Sequence, residues 1–287
     1  MMSDYRLGGL NVRWESDFPL LSGSFLDQFC AEFALPDITL TGEISPLAPL
    51  LKNPRLSEGP VFDRYDLDGE PVLVYHWGQL RNGFAVFPRR IGPTGGSGCI
   101  FDPEMTRQPP LHADWFLGLS GLHRALLLQD APILHAACVE HQGQAILFAA
   151  PSQTGKSTQA ELWHTHAGAE IVNGDRITLR RKDGRWHAWG YPCCGSSGIC
   201  RNRTLPIRAV VALAQSPDDR VEQMTPGQQL RALSAGMQLY SWMADEVDTA
   251  LRLAGQLAED IPVIRLLCTP TQKAVEVLRQ YLEVNGL

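Results

Sequence analysis

"QAILFAAPSQTGKSTQAELW", Gln144 to Trp163, decides how the chain is read. It opens on an apolar run, turns through Pro151, Ser152, Gln153 and Thr154, and closes on a stretch of helix formers. A strand, a glycine-bearing turn and a helix in that order aim backbone N–H groups and a helix N-terminus at one point, which attracts an anion. Gly155, Lys156 and Ser157 match the second half of G-x-x-x-x-G-K-[ST], the phosphate-binding loop. In that pattern the lysine faces the β- and γ-phosphates of a nucleotide, the hydroxyl faces Mg²⁺, and the glycine lets the backbone approach closely. Ala150 stands where the first glycine is expected. Alanine is tolerated there unless the turn needs a positive φ.

A Mg²⁺ site needs a carboxylate, and "AEIVNGDRITL" offers Asp175 just beyond the apolar pair Ile171 and Val172. The bland alternative is a solvated Asn173-Gly174-Asp175 turn.

Around this centre the pattern alternates between strand and helix. "PILHAACVE" reads as a strand, "HQGQ" as a turn and "AILFAA" as a strand; "KSTQAELWHTH" reads as a helix, and "AEIVNGDRITLRRKDGRWHAWG" as two strands about Asp183-Gly184. Further on come a strand over Ile207–Gln215, helices over Gly227–Ser234 and Glu246–Glu259, a strand over Pro262–Cys268 and a helix over Thr271–Val284. Mixed order of this kind predicts an α/β (α+β) domain with a central sheet. The first hundred or so residues read as β-rich. "PVLVYHW" and "GFAVFP" form a hairpin linked through Leu80–Gly83, and Asp68-Gly69 forms a turn. A short helix is predicted within Phe18–Phe33 and a long one over His112–Asp130. The glycine cluster Gly92–Cys99 reads as a flexible turn more readily than as a phosphate loop, because no helix with a lysine follows it. The predicted division is 1–108, a β-rich accessory or substrate domain, and 109–287, a phosphate-loop domain.

The 287 residues carry a formal net charge of −6, with 44% apolar and 20% charged residues. That composition is ordinary for a globular protein and argues against broad binding to nucleic acid or anionic membranes. The first residues lack the apolar core of a signal peptide, and no run approaches a membrane span. The expected location is therefore cytoplasmic, with the seven cysteines reduced. Cys193, Cys194 and Cys200 lack the C-x₂-C spacing of a zinc knuckle and read as small packing residues. Beyond them, Arg201 and Arg203, with Arg208 further on, offer guanidinium groups for a phosphate or an acidic substrate, or else solvated positions on a surface loop.

Taken together, "LHAACVEHQGQAILFAAPSQTGKST", "IVNGDR" and "GICRNRTLPIRAVVAL" resemble the HPr kinase/phosphorylase family, whose phosphate-loop core is shared with the phosphoenolpyruvate carboxykinases. The resemblance runs from about His112 to the C-terminus. It implies a mixed sheet with flanking helices, ATP and Mg²⁺ as cofactors, and oligomer formation. It implies that Ser152, Gln153, Thr154, Gly155, Lys156, Ser157 and Thr158 hold the nucleotide, that Ser157 and Asp175 hold the metal, and that His135 sits near the γ-phosphate. Catalytic roles would fall to His135, Lys156 and Asp175. Gly174 occupies the position of the first of the family's paired aspartates, thought to take the proton from the acceptor hydroxyl. Three outcomes stay open: His135 or Asp175 serves as base, the acceptor needs none, or nucleotide is held without efficient transfer. The expected function is phosphoryl transfer from ATP to a hydroxyl of a peptide, a protein Ser/Thr or a small molecule. The alternative is a non-catalytic nucleotide sensor or scaffold in a peptide-modifying or biosynthetic system.

Overall fold

The structure, a computed structural model, describes residues 2–18, 25–77, 80–91, 98–104 and 120–287. These divide into two compact units, Met1–Ala125 and Leu126–Leu287. The expected boundary at 108/109 and the glycine cluster at 92–97 lie outside the described residues, as do 19–24 and 112–119 of the two expected N-terminal helices. In the described parts of those helices, Leu26–Phe29 is a single 3-10 turn and α1 spans Leu122–Leu128.

The first unit holds one mixed sheet of eight strands: β1 (Met2–Leu7), β2 (Leu10–Ser16), β3 (Ile38–Ile44), β4 (Arg55–Ser57), β5 (Phe62–Leu67), β6 (Glu70–Trp77), β7 (Leu80–Val86) and β8 (Cys99–Phe101). The spatial order is β1-β2-β3-β8-β7-β6-β5-β4. Strand β2 buries Leu10, Val12 and Trp14 in strict alternation, the mark of a sheet with one covered face. Leu80, Arg81 and Asn82, expected as the hairpin link, belong to β7 instead, with Trp77 opposite Leu80.

The second unit is built around a second mixed sheet: β9 (Ile133–Leu134), β10 (Ala136–His141), β11 (Gln144–Ala149), β12 (Glu170–Asn173), β13 (Ile177–Lys182), β14 (Arg185–Trp189), β15 (Thr204–Gln215), β16 (Arg220–Gln223) and β17 (Val263–Cys268). Strand β15 is the hub. Its first residues pair with β14, and the rest lie parallel to β11 and to β17. Helices α2 (Lys156–Ala167) and α5 (Gln272–Val284) cover one face, while α3 (Pro226–Gly236) and α4 (Ala244–Asp260) cover the other. Both faces are dry, which is why β11 reads as a continuous apolar run. Ala145, Leu147 and Ala149 enter the core under α3 and α4; Ile146 and Phe148 enter the core with Trp163 of α2. The parallel trio β11, β15 and β17 ends on one edge, where ligands bind in sheets of this kind.

Two expectations are corrected here. "PILHAACVE" is two strands, because β9 pairs with β13 while β10 pairs with β11 and β12. The chain changes partners at His135, whose N–H donates to Gly236 O at 2.8 Å. The region from Glu170 to Trp189 holds three strands, the first of which, β12, is an edge strand beside β10.

Candidate functional site

The loop between β11 and α2 is shaped by two residues with positive φ. Gly155 has φ 113°, a value that glycine alone tolerates readily, and Gln153 has φ 65°. A left-handed glutamine costs about 1 kcal/mol, a strain of the kind that collects at ligand-binding loops. Ala150 does not take a positive φ, so its departure from glycine carries no backbone penalty. The helix ends at Gly168, φ 66°, where the Ala169 N–H returns to Trp163 O.

Lys156 is 7% exposed. Its Nζ donates to Ala150 O (2.9 Å) and Pro151 O (3.2 Å), so the ammonium lies against the loop it is expected to serve. Burial pulls its pKa below the ordinary lysine value, against the opposing charge of Asp175.

Asp175 is positioned by the fully buried Asn173 at the end of β12. Asn173 Oδ1 accepts from the N–H groups of Asp175 (2.8 Å) and Arg176 (3.0 Å), and its Nδ2 donates to Tyr191 O. This Asx turn fixes the carboxylate at the strand end. Asp175 Oδ1 then accepts from His135 Nε2 at 3.0 Å, and Oδ2 lies 3.4 Å from Arg176 Nε. The hydrogen bond from His135 is the main reason that Asp175 sits below the usual carboxylate range; the charges of Arg176, His135 and Lys156 add to it, and burial opposes it. Because a carboxylate only accepts, Nε2 is the donor in this contact; in a neutral ring Nδ1 is then the nitrogen with the free lone pair.

A cleft of about 360 Å³ gathers His135, Ser152, Gln153, Gly155, Lys156, Ser157, Thr158 and Asp175, with Gly174 and Ser196. Thr154 opens instead onto an adjoining cavity of about 570 Å³ between the N-terminus of α2 and the ends of β15 and β17. Arg201 and Arg203 are not brought to either. They pair with Glu170 and Glu140 on the exposed side of β10 and β12. Among the described residues no three His, Cys, Asp or Glu side chains gather as a metal cluster, and no disulfide joins any of the seven cysteines.

The Gly174 position has a structural cause that the sequence did not reveal. A Cβ there would lie 2.2 Å from Ser197 Oγ and 2.3 Å from Ser197 Cβ. Ser197 belongs to the 3-10 turn Gly195–Ser197, where its Oγ donates to Cys194 O at 2.6 Å and accepts from Ile199 N at 3.2 Å. The turn occupies the space an aspartate side chain would need, and it brings Ser196 into the cleft. Gly195 is equally constrained, with φ 56° and an added Cβ 2.9 Å from the Asp175 side chain.

No protein-family model matches the chain, and no curated protein matches it. Among solved structures, the Hpr(Ser) kinase/phosphatase from Coxiella burnetii is similar at 14% identity and a TM-score of 0.31, over 54% of this chain and 94% of that one. No helix among the described residues is long and apolar enough to cross a membrane.

Proposed function

We propose that this chain is an ATP-dependent phosphotransferase acting on a hydroxyl. One observation carries the reading: Lys156 and Ser157, at the N-terminus of α2, share a cleft with the hydrogen-bonded pair His135–Asp175. A phosphate binder without chemistry has no use for a histidine–carboxylate pair beside the lysine. Phosphoryl transfer needs charge neutralisation, an in-line acceptor and a place for one proton.

Each of these has a residue. The loop amides and Lys156 would hold the β- and γ-phosphates. Asp175 and Ser157 offer the hard oxygen donors that suit Mg²⁺, which takes few protein ligands and fills its shell with phosphate and water. When bound, that ion would neutralise charge on the phosphate oxygens. The acceptor oxygen forms a bond to the γ-phosphorus as the bond from that phosphorus to the β,γ-bridging oxygen breaks, and ADP leaves. The acceptor proton passes to His135 Nδ1, with Asp175 orienting the ring and stabilising the imidazolium. This assigns the base role to His135 in place of the aspartate that Ser197 excludes at Gly174.

The 570 Å³ cavity supports adenosine as the nucleoside. Gln159 lines it and is 2% exposed. Its Nε2 faces Cys268 Sγ (3.4 Å) and Thr269 O (3.5 Å), while its Oε1 has no partner among the described residues. A buried acceptor of this kind matches the adenine amine and opposes the guanine carbonyl. Gln159→Leu should weaken ATP about tenfold while changing GTP little, as read by competition with a fluorescent nucleotide.

The alternative, a nucleotide-binding module that transfers nothing, is favoured by Gly174 alone. Asp175→Asn separates the two. Transfer of labelled γ-phosphoryl to a hydroxyl panel should fall about 10²- to 10³-fold, with ATP affinity in EDTA within about threefold of wild type. Wild type that binds ATP tightly yet labels no acceptor would decide for the module.

A further inference from the structure

A third cavity, of about 560 Å³, lies on the opposite side of the loop from the adenosine pocket, between α3 and the sheet. It shares His135 with the phosphate cleft. Its floor is hollowed by small side chains: Ala212 and Ala214 alternate along β15, and Ala232 and Ala235 face them from α3. Gln228, Arg231, Ala232 and Ala235 follow i, i+3, i+4, i+7 spacing, so one face of α3 forms the wall. Two cations stand on this apolar surface, Arg231 from α3 and Arg265 from β17. Neither guanidinium has an ion pair or a hydrogen-bond partner among the described residues, whereas most other arginines of this unit are paired. Glu222 lies opposite Arg265 across β16–β17, but its carboxylate is taken by Arg220 at 3.1 Å. The capped N-terminus of α3, with Thr225 and Gln228 closing a capping box, adds its positive end to the same mouth.

Given the phosphotransferase reading, on which this inference rests, we propose that the acceptor is a small hydroxy acid. Its carboxylate would be held by Arg231 and Arg265, its apolar body would lie on the alanine floor, and its hydroxyl would be presented at His135. The volume suits a small molecule. Planar guanidinium forks match a carboxylate bidentately; Arg231 is exposed and Arg265 half-buried, so the two stand at the mouth of the cavity. The reaction is the transfer already described: the hydroxyl oxygen takes the γ-phosphoryl group, ADP leaves, and His135 Nδ1 takes the proton. A shared histidine is the reason to connect the cavities, since an acceptor seated here meets the phosphate cleft at the proposed base.

The test measures ATP binding and ADP release on the same samples. The acceptors are mandelate, phenyllactate, leucic acid and N-acetylserine, each beside its primary amide. The expected result is that at least one carboxylate is phosphorylated with kcat/KM more than about tenfold above its amide. Arg231→Gln/Arg265→Gln should raise KM for that carboxylate about 10²-fold, leaving ATP affinity, the thermal midpoint and the rate with the amide unchanged. If ATP binds but amides react as well as carboxylates, or if no carboxylate in the set reacts, the acceptor class is wrong while nucleotide binding stands. An equal loss with amide and carboxylate in the double variant also overturns it. Absence of ATP binding in wild type overturns both this inference and the phosphotransferase reading.

Discussion

Gly174→Ala is expected to destabilise the second unit by about 1–3 kcal/mol and to depress phosphoryl transfer with it. The new methyl falls 2.2 Å from Ser197 Oγ, and Ser197 cannot swing away cheaply. Its hydroxyl is held by Cys194 O and Ile199 N, and Gly174 N itself donates to Ile199 O at 3.3 Å. The turn that must yield also carries Gly195 against Asp175 and Ser196 into the cleft, so the strain reaches the site. Gly174→Asp, which supplies the carboxylate present in the resembling family, is expected to lose stability and activity for the same reason, and not to gain a base. Ser197→Gly removes both clashing atoms. In that background Gly174→Ala should cost at least about 1 kcal/mol less, a coupling measured by a double-mutant cycle on urea midpoints. Strict additivity of the two changes would mean that the contact is not what fixes glycine at 174.

The second large effect is at Lys156. Lys156→Ala is expected to weaken ATP binding about 10²-fold and to cut phosphoryl transfer about 10³-fold further. The residue opens α2, where alanine is a good helix former, so the helix should survive and the thermal midpoint should move little. What is lost is a single ammonium that already lies in the loop, drawn there by two carbonyls and below its ordinary pKa through burial. Isothermal titration with ATP and an ADP-release assay read the two effects separately. Wild-type values in both would remove the basis for a nucleotide site in the 360 Å³ cleft.

Much of the second unit was legible because local rules and tertiary demands agree there. The apolar run at Ala145–Ala149, the Gly-Lys-Ser turn and the helix that follows are each specified by residues adjacent in sequence. The helices α3, α4 and α5 were foreseen to within a few residues, since amphipathic periodicity is a local signal. The break at His135 was not legible. Both halves of "PILHAACVE" are apolar, and only the choice of partner, β13 for one half and β10's neighbours for the other, divides them.

The sequence by itself determined that a strand, a glycine turn and a helix follow one another from Gln144 to Ala167, and it singled out Lys156, Ser157 and Asp175 as candidate groups. It did so because hydrophobic period, turn residues and helix propensity act over a few residues. Only the tertiary structure decided the rest: that His135 meets Asp175 across 40 positions of chain, that Arg201 and Arg203 turn to Glu170 and Glu140, and that Ser197 occupies the space beside Gly174. These are contacts between segments remote in sequence. They are set by which strands pair and how closely two backbones approach, and no local pattern encodes either.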